Sequence, residues 1–208
     1  MALDYEQQFY DKGYEFIAGT DEAGRGCLLG PVFAAAVILP KGFSCDLIND
    51  SKKLTEKQRE KAFDIIIESA VAYGIAYIKP EEIDKINILE ASRKAMCLAL
   101  EQIDHKIDLI LTDYMKLPNQ KCEVIDLAHG DALSQNIAAA SILAKVSRDR
   151  ECKKLDKLYP NYNIAKNKGY GTKDHLEALE KYGPIEGLHR FSYAPVKQSS
   201  IEKVKLFD

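Results

Sequence analysis

A chain of 208 residues with a net charge of −3, 46% hydrophobic and 29% charged residues has the balance of a globular domain, which excludes an intrinsically disordered chain. Its five cysteines (27, 45, 97, 122 and 152) are odd in number and widely spaced, which excludes a CxxC pair or a zinc knuckle and suits a reducing compartment. The first residues, Met1 to Glu6, carry no basic-then-apolar leader, and the apolar run 32–39 is far short of the roughly 18 residues of a membrane span, so a cytoplasmic protein is expected.

In chain order, residues 15–21 and 32–39 read as two strands joined by a glycine-rich turn, close enough to pair as an antiparallel hairpin. Thr55 and Gln58 form a capping box for a helix over 56–69, with Ala62, Phe63, Ile66 and Ile67 on one face. Residues 71–78 alternate as a strand that Pro80 ends, and a helix is predicted from about Ile88 to Ile103. Residues 107–112 form a buried strand closing at Asp113, and 122–127 a fifth strand closed by His129-Gly130. A long helix follows from Ser134 to about Leu158, where Pro160 stops it; some 25 residues would span about 37 Å, enough to cross a sheet. The small residues of its start, Ile137 to Ala144, permit close backbone packing. A loop over 167–172 and a short amphipathic helix over 173–182 complete the pattern. Strands interspersed with helices indicate an α/β domain with a mixed sheet.

Asp21, Glu22, Asp113 and Asp131 stand at strand ends or in the turns beyond them, where ligands gather in open α/β sheets. Singly, each reads as a turn former or cap. Brought together they form a cluster that stays ionised only with a divalent cation, Mg²⁺ or Mn²⁺. Charge is unevenly placed: residues 145–173 hold nine Lys/Arg against three acids, which fits either a phosphate-gripping groove or a solvated helix face.

The ordered set Asp21-Glu22-Ala23-Gly24-Arg25-Gly26, Gly30-Pro31-Val32, Asn49 to Leu54, Gly130-Asp131, Ile137 to Val146, Arg148-Asp149, Lys168 to Lys173 and His189-Arg190 resembles bacterial ribonuclease HII over nearly the whole chain. The resemblance implies a ribonuclease H-like fold: a five-stranded mixed sheet flanked by helices, in a single catalytic domain with a core over about 15–160 and a short helical C-terminal extension over about 161–208. It implies an endonuclease that cuts the RNA strand of RNA/DNA hybrids and nicks 5′ to ribonucleotides embedded in duplex DNA, taken as a monomer by default. Two metal ions, Mn²⁺ or Mg²⁺, would act in the hydrolysis, leaving 3′-hydroxyl and 5′-phosphate ends. Asp21, Glu22, Asp113 and Asp131 match the family's metal-binding acids. Gly24, Arg25 and Gly26 match its loop at the ribose 2′-hydroxyl, Lys52 its phosphate-contacting lysine, and Tyr170 its tyrosine at the RNA-to-DNA junction. The 2′-hydroxyl alone marks a ribonucleotide in a duplex, and glycines let backbone groups approach it.

The chain departs from the family pattern at Tyr114, where Gly is frequent, at Leu133, where Lys is frequent, and at Leu29, where Ala is usual. His189-Arg190 matches, as a substrate contact or as a structural hydrogen bond. The tail Lys203 to Phe207 ends in a Leu-Phe pair of the kind that fills a sliding-clamp pocket, without the expected Gln. Two rivals stand beside the main reading. One is a ribonuclease HIII-type enzyme, although that family carries an N-terminal domain and a Gly-Thr-Gly type loop. The other is a non-catalytic hybrid-binding module using the basic stretch.

Overall fold

A computed structural model describes residues 4–49 and 54–205. Strands β1 (Ile17–Ala23), β2 (Val32–Ile38), β3 (Ala72–Ile78), β4 (Leu109–Asp113) and β5 (Glu123–Leu127) make one sheet in the order β3-β2-β1-β4-β5. The three strands β3, β2 and β1 are antiparallel neighbours, whereas β4 runs parallel to both β1 and β5. The hairpin and the mixed five-stranded sheet read from the sequence are both present. Helices α1 (Gln7–Tyr10), α2 (Asp46–Asn49), α3 (Glu56–Ser69), α4 (Pro80–Glu101), α5 (Gln135–Leu158), α6 (Ile164–Asn167), α7 (Lys173–Tyr182) and α8 (Ala194–Lys205) surround it.

The period of two along β2 divides the core. Val32, Ala34, Ala36 and Ile38 pack with Ala91, Ala95, Met96 and Ala99 of α4 on one face. Ala35 and Val37 pack with Ala62 and Ile66 of α3 and with Ala138 to Ala140 of α5 on the other. Alanines on both α5 and β2 bring helix and strand backbones close, and Gly19 of β1 takes this furthest: a Cβ there would lie 2.2 Å from the carbonyl carbon of Asn136. A side chain at position 19 would therefore lift α5 off the sheet and away from the strand ends.

Thr55 accepts from the Gln58 backbone and Gln58 reaches back, so the capping box starts α3 where the sequence placed it. The fourth helix begins earlier than expected. Pro80 stops β3 but also serves as the first helical residue, with Glu81 and Glu82 in the first turn, and Asn87 (φ 67°, ψ 165°) breaks the helix inside. Proline is favoured at that first position because its missing N–H has no partner there anyway. The amino-terminal segment also acts on α5. Glu6 is buried and its carboxylate accepts from the Ser134 hydroxyl (2.6 Å) and the Asn136 backbone N–H (3.0 Å), setting a negative charge at the positive end of the helix.

Candidate active site

Pairing of Thr20 with Thr112 across the parallel β1–β4 ladder puts the next residues, Asp21 and Asp113, beside each other at the strand ends. Both follow the pleat of Ile17 and of Leu109 and Leu111, which share a cluster with Ile137 of α5, so the two carboxylates face the same helix. Asp113 accepts a hydrogen bond from the Gly130 N–H at 2.8 Å, which docks the 3₁₀ turn Gly130–Ala132 and the buried Asp131 against the end of β4. Gly130 cannot carry a side chain, since a Cβ would sit 2.6 Å from Ile137 Cδ1. Sequence positions 21, 113 and 131 thus reach one end of the sheet through a ladder, a turn and a single hydrogen bond.

Burial raises the Asp21 carboxyl well above its usual range; Glu22 and Asp113 push it the same way, and a hydrogen bond from Ser141 of α5 opposes them. Glu22 is also raised, again chiefly by burial, with Arg25 pulling back. Arg25 Nη1 meets one Glu22 oxygen at 3.2 Å. The other oxygen, Oε2, is buried without a hydrogen-bond partner. An ionised oxygen left bare in a desolvated site is costly, and a hard divalent cation would satisfy it, so the carboxylates fit such an ion. No three His, Cys, Asp or Glu side chains among the described residues are gathered tightly enough to hold an ion as they stand.

Glu22 and Asp131 line a cleft of about 300 Å³ together with Gly24, Ser141, Tyr170 and three cations, Arg59, Lys145 and Arg148. Its basic wall is built from beneath. Arg148 is 1% exposed and donates to the carbonyls of Lys168 (2.8 Å) and Leu29 (3.2 Å). Gly24, at φ +99°, makes room for it, because a Cβ would lie 2.1 Å from Arg148 Nε. Arg190, fully buried, donates twice to the Gly30 carbonyl (3.0 and 2.9 Å) and once to that of Arg25 (2.9 Å). The Tyr193 hydroxyl also donates to the Arg25 carbonyl, at 2.6 Å. The loop 24–26 is thereby fixed by side chains distant in sequence, and His189-Arg190 is a structural pair in this chain.

The structure brings Asp21, Glu22, Asp113 and Asp131 to one end of the sheet and places Gly24, Arg25, Gly26 and Tyr170 beside them. Lys52 lies outside the described residues, as do Leu206 and Phe207. The departure at position 114 is accommodated: Tyr114 takes a left-handed φ of 54°, and its N–H donates to Leu127 O at 2.9 Å, so the turn survives without glycine. Leu133 is 43% exposed. Most of the basic stretch is engaged elsewhere, with Arg150 on Glu60, Lys153 on Glu56, Lys154 on Glu151 and Lys166 on Asp174. Sequence reasoning missed Arg59 and Ser141 as cleft residues. Arg59 follows a capping box and reads as a surface helix charge, and Ser141 lies in an apolar run; neither carries a signal without the fold.

The ribonuclease HII family model matches residues 18–196. The ribonuclease HII of Caldanaerobacter subterraneus is 53% identical over 189 residues, covering 91% of this chain and 78% of that protein. Among solved structures, ribonuclease H2 of Pyrococcus horikoshii superposes with a TM-score of 0.78 at 26% identity, covering 91% of this chain and 99% of that one. Bst-RNase HIII in complex with Mn²⁺ superposes with a TM-score of 0.69 at 15% identity, covering 92% of this chain and 71% of that one, a likeness of fold alone. The match along almost the whole length decides against the ribonuclease HIII and hybrid-binding readings, and the chain belongs to the ribonuclease HII family, divalent-metal-dependent endoribonucleases of the ribonuclease H type that act on the RNA of RNA/DNA hybrids.

Proposed function

We propose that this enzyme cuts on the 5′ side of ribonucleotides embedded in duplex DNA, as well as within RNA/DNA hybrids, leaving 3′-hydroxyl and 5′-phosphate ends, and that Asp21, Glu22, Asp113 and Asp131 are its metal-binding residues. The observation that carries this reading is the bare, buried Glu22 oxygen beside the desolvated Asp21 at the shared end of β1 and β4. Like charges hold such groups apart until a cation joins them, which accounts for the looseness of the cluster. Two divalent cations, Mn²⁺ or Mg²⁺, would supply polarisation of the scissile phosphate and an activated water at neutral pH.

The remaining work belongs to the chain itself. Arg59, Lys145 and Arg148 give the cleft a positive wall suited to a phosphate backbone. Gly24, Arg25 and Gly26 offer main-chain groups to the ribose 2′-hydroxyl, held still by Arg190 and Tyr193 from behind. Lys52, outside the described residues, is proposed as a further phosphate contact. Tyr170, 45% exposed on the same cleft, would pack on the sugar 3′ to the ribonucleotide and favour deoxyribose, where an added hydroxyl would crowd its ring. The five cysteines are all free thiols, which supports a cytoplasmic site of action. Leu206 and Phe207 remain proposed as a sliding-clamp contact, for which removal of both should abolish retention on a clamp column.

The test is a duplex carrying a single ribonucleotide, incubated with Mg²⁺, with Mn²⁺ or with chelator. A nick 5′ to the ribonucleotide that needs metal, and that Asp21→Asn abolishes, is the expected result. No nick with either ion, or full activity in an Asp21→Asn Asp113→Asn double variant, would overturn the assignment.

A further inference from the structure

Two buried histidines with no part in the chemistry above stand behind Tyr170. His175, fully buried, lies in the first turn of α7, and His189, 1% exposed, sits between α7 and α8. His175 Nδ1 is 2.9 Å from the Tyr170 carbonyl oxygen, which also accepts from the Thr172 N–H at 2.8 Å. His175 Nε2 is 3.2 Å from His189 Nε2, and the Ile185 N–H donates to His189 Nδ1 at 2.8 Å.

The two ends of this series fix every proton in it. A carbonyl only accepts, so His175 Nδ1 carries hydrogen; a backbone N–H only donates, so His189 Nδ1 is bare. With both rings neutral, His189 Nε2–H must then donate to His175 Nε2. Each link points the same way, from Ile185 to Tyr170. A proton added to either ring would set two N–H groups against each other at one link, and burial opposes that proton, holding His189 down to about 3 and His175 below its ordinary value. The Tyr162 ring packs on both imidazoles, with Tyr182 against it. Glu81, Asp84 and Glu186 share an outer cleft with His189, where the Asp84 carboxylate is taken by the backbone N–H groups of Phe191 and Ser192. Arg190 turns its guanidinium towards Gly30 and Arg25.

We propose that His175 and His189 are positioning residues for Tyr170, fixing its main chain by a one-way hydrogen-bond series and so setting how strictly the enzyme demands a deoxyribose next to the ribonucleotide. The proposal rests on the reading of Tyr170 given above. The ring needs such support because it is only half-buried and its loop is bent through left-handed Lys168 (φ 52°) and Gly169 (φ 77°). The ring also has the Arg148 guanidinium 6.0 Å from its centre and a hydrogen bond with the Cys27 thiol. The Tyr170 N–H donates to Asn167 O at 2.9 Å, and the carbonyl, held by Thr172 and His175, is the second main-chain point from which the side chain is aimed.

The experiment compares cleavage at a ribonucleotide followed by deoxyribose with cleavage at one followed by ribose, in wild type, His175→Phe, His175→Asn and Tyr170→Ala. In His175→Phe the preference should fall about tenfold while the ribose-flanked rate stays within about threefold, since a displacement of order 1 Å at a positioning group has effects of this size or larger. His175→Asn, whose amide can still donate to the Tyr170 carbonyl, should recover most of it. An equal fall in both rates, or an unchanged ratio in folded His175→Phe, overturns the proposal. Loss of preference in Tyr170→Ala alone would leave the Tyr170 reading standing, whereas preference retained in Tyr170→Ala would overturn that reading instead. Should His175→Phe not fold, His189→Asn severs the middle link, and the same ratio decides. Nitrogen-15 imidazole spectra of the wild type near pH 6 give an independent check: neutral rings protonated at His175 Nδ1 and His189 Nε2 are expected, and a charged ring or the opposite tautomer would refute the series.

Discussion

The two walls of the cleft are held together in opposite ways. On the acidic side, Asp21 and Glu22 are desolvated beside like charges and Glu22 Oε2 has no partner. On the basic side, the buried Arg148 and Arg190 share five hydrogen bonds to main-chain carbonyls of the loops they support. Low dielectric strengthens a satisfied polar network and penalises an unsatisfied one. The basic side is fixed by those carbonyls although Arg59 Nε and Arg148 Nε are also buried without partners, whereas the acidic side holds like charges together that a divalent cation would relieve.

Neutralising the acidic wall should give the largest effect. Asp21→Asn or Asp113→Asn is expected to slow cleavage by about a thousandfold or more, measured as turnover at saturating metal. The comparison also requires that Asp21→Asn stabilise the metal-free protein, by about 1 kcal/mol in chemical denaturation with chelator present. Burial raises its carboxyl well above the ordinary value, which costs folding stability at neutral pH; that cost shrinks as pH falls below the raised value and is gone at the ordinary carboxylate value. A less stable Asp21→Asn protein would show that the acidic wall is not under electrostatic strain.

The basic wall should answer in the other direction. Arg190→Met leaves the Gly30 carbonyl buried without its donor and is expected to cost about 3 kcal/mol of stability, read from the denaturant midpoint. Unchanged stability would mean that the guanidinium is not what holds loop 24–26. Beneath the same wall, His189 has a folded value of about 3 against an ordinary 6.5. The unfolded chain takes up a proton that the folded chain refuses, so stability is full above about pH 6.5 and declines as pH falls towards 3. The decline attributable to this group is about 2 kcal/mol at pH 5, and His189→Gln should flatten it. The smallest effect is expected at Tyr114, where relief of its left-handed backbone in Tyr114→Gly should add about 0.5–1 kcal/mol.

What the sequence could reveal depended on the range over which the signal acts. Thr55 and Gln58 set the start of α3 by local hydrogen bonds, and Thr172 caps α7 in the same local manner. The apolar run of β2, the alternation of β3 and the small residues at the start of α5 announced the sheet and its closely packed helix. Pro80 misled because one residue can end a strand and begin a helix, and the left-handed Asn87 hid the continuity beyond it. The four acids were legible through their place at strand ends and through the family pattern. Arg148 was not legible as a buried support, since in a charge count it resembles Lys153 and Lys154, which lie at the surface in ion pairs. Only folding decides which cation is taken under a loop.

Parallel pairing of β1 with β4 has a consequence for synthesis of the enzyme. Asp21 leaves the ribosome early, but its neighbour in the ladder follows about 90 residues later, and Ser141, which donates to it, later still. A growing polypeptide that ends before α5 has neither the second strand's carboxylate docked by Gly130 nor the helix that covers both, so it should have no power to cut a hybrid until α5 has emerged.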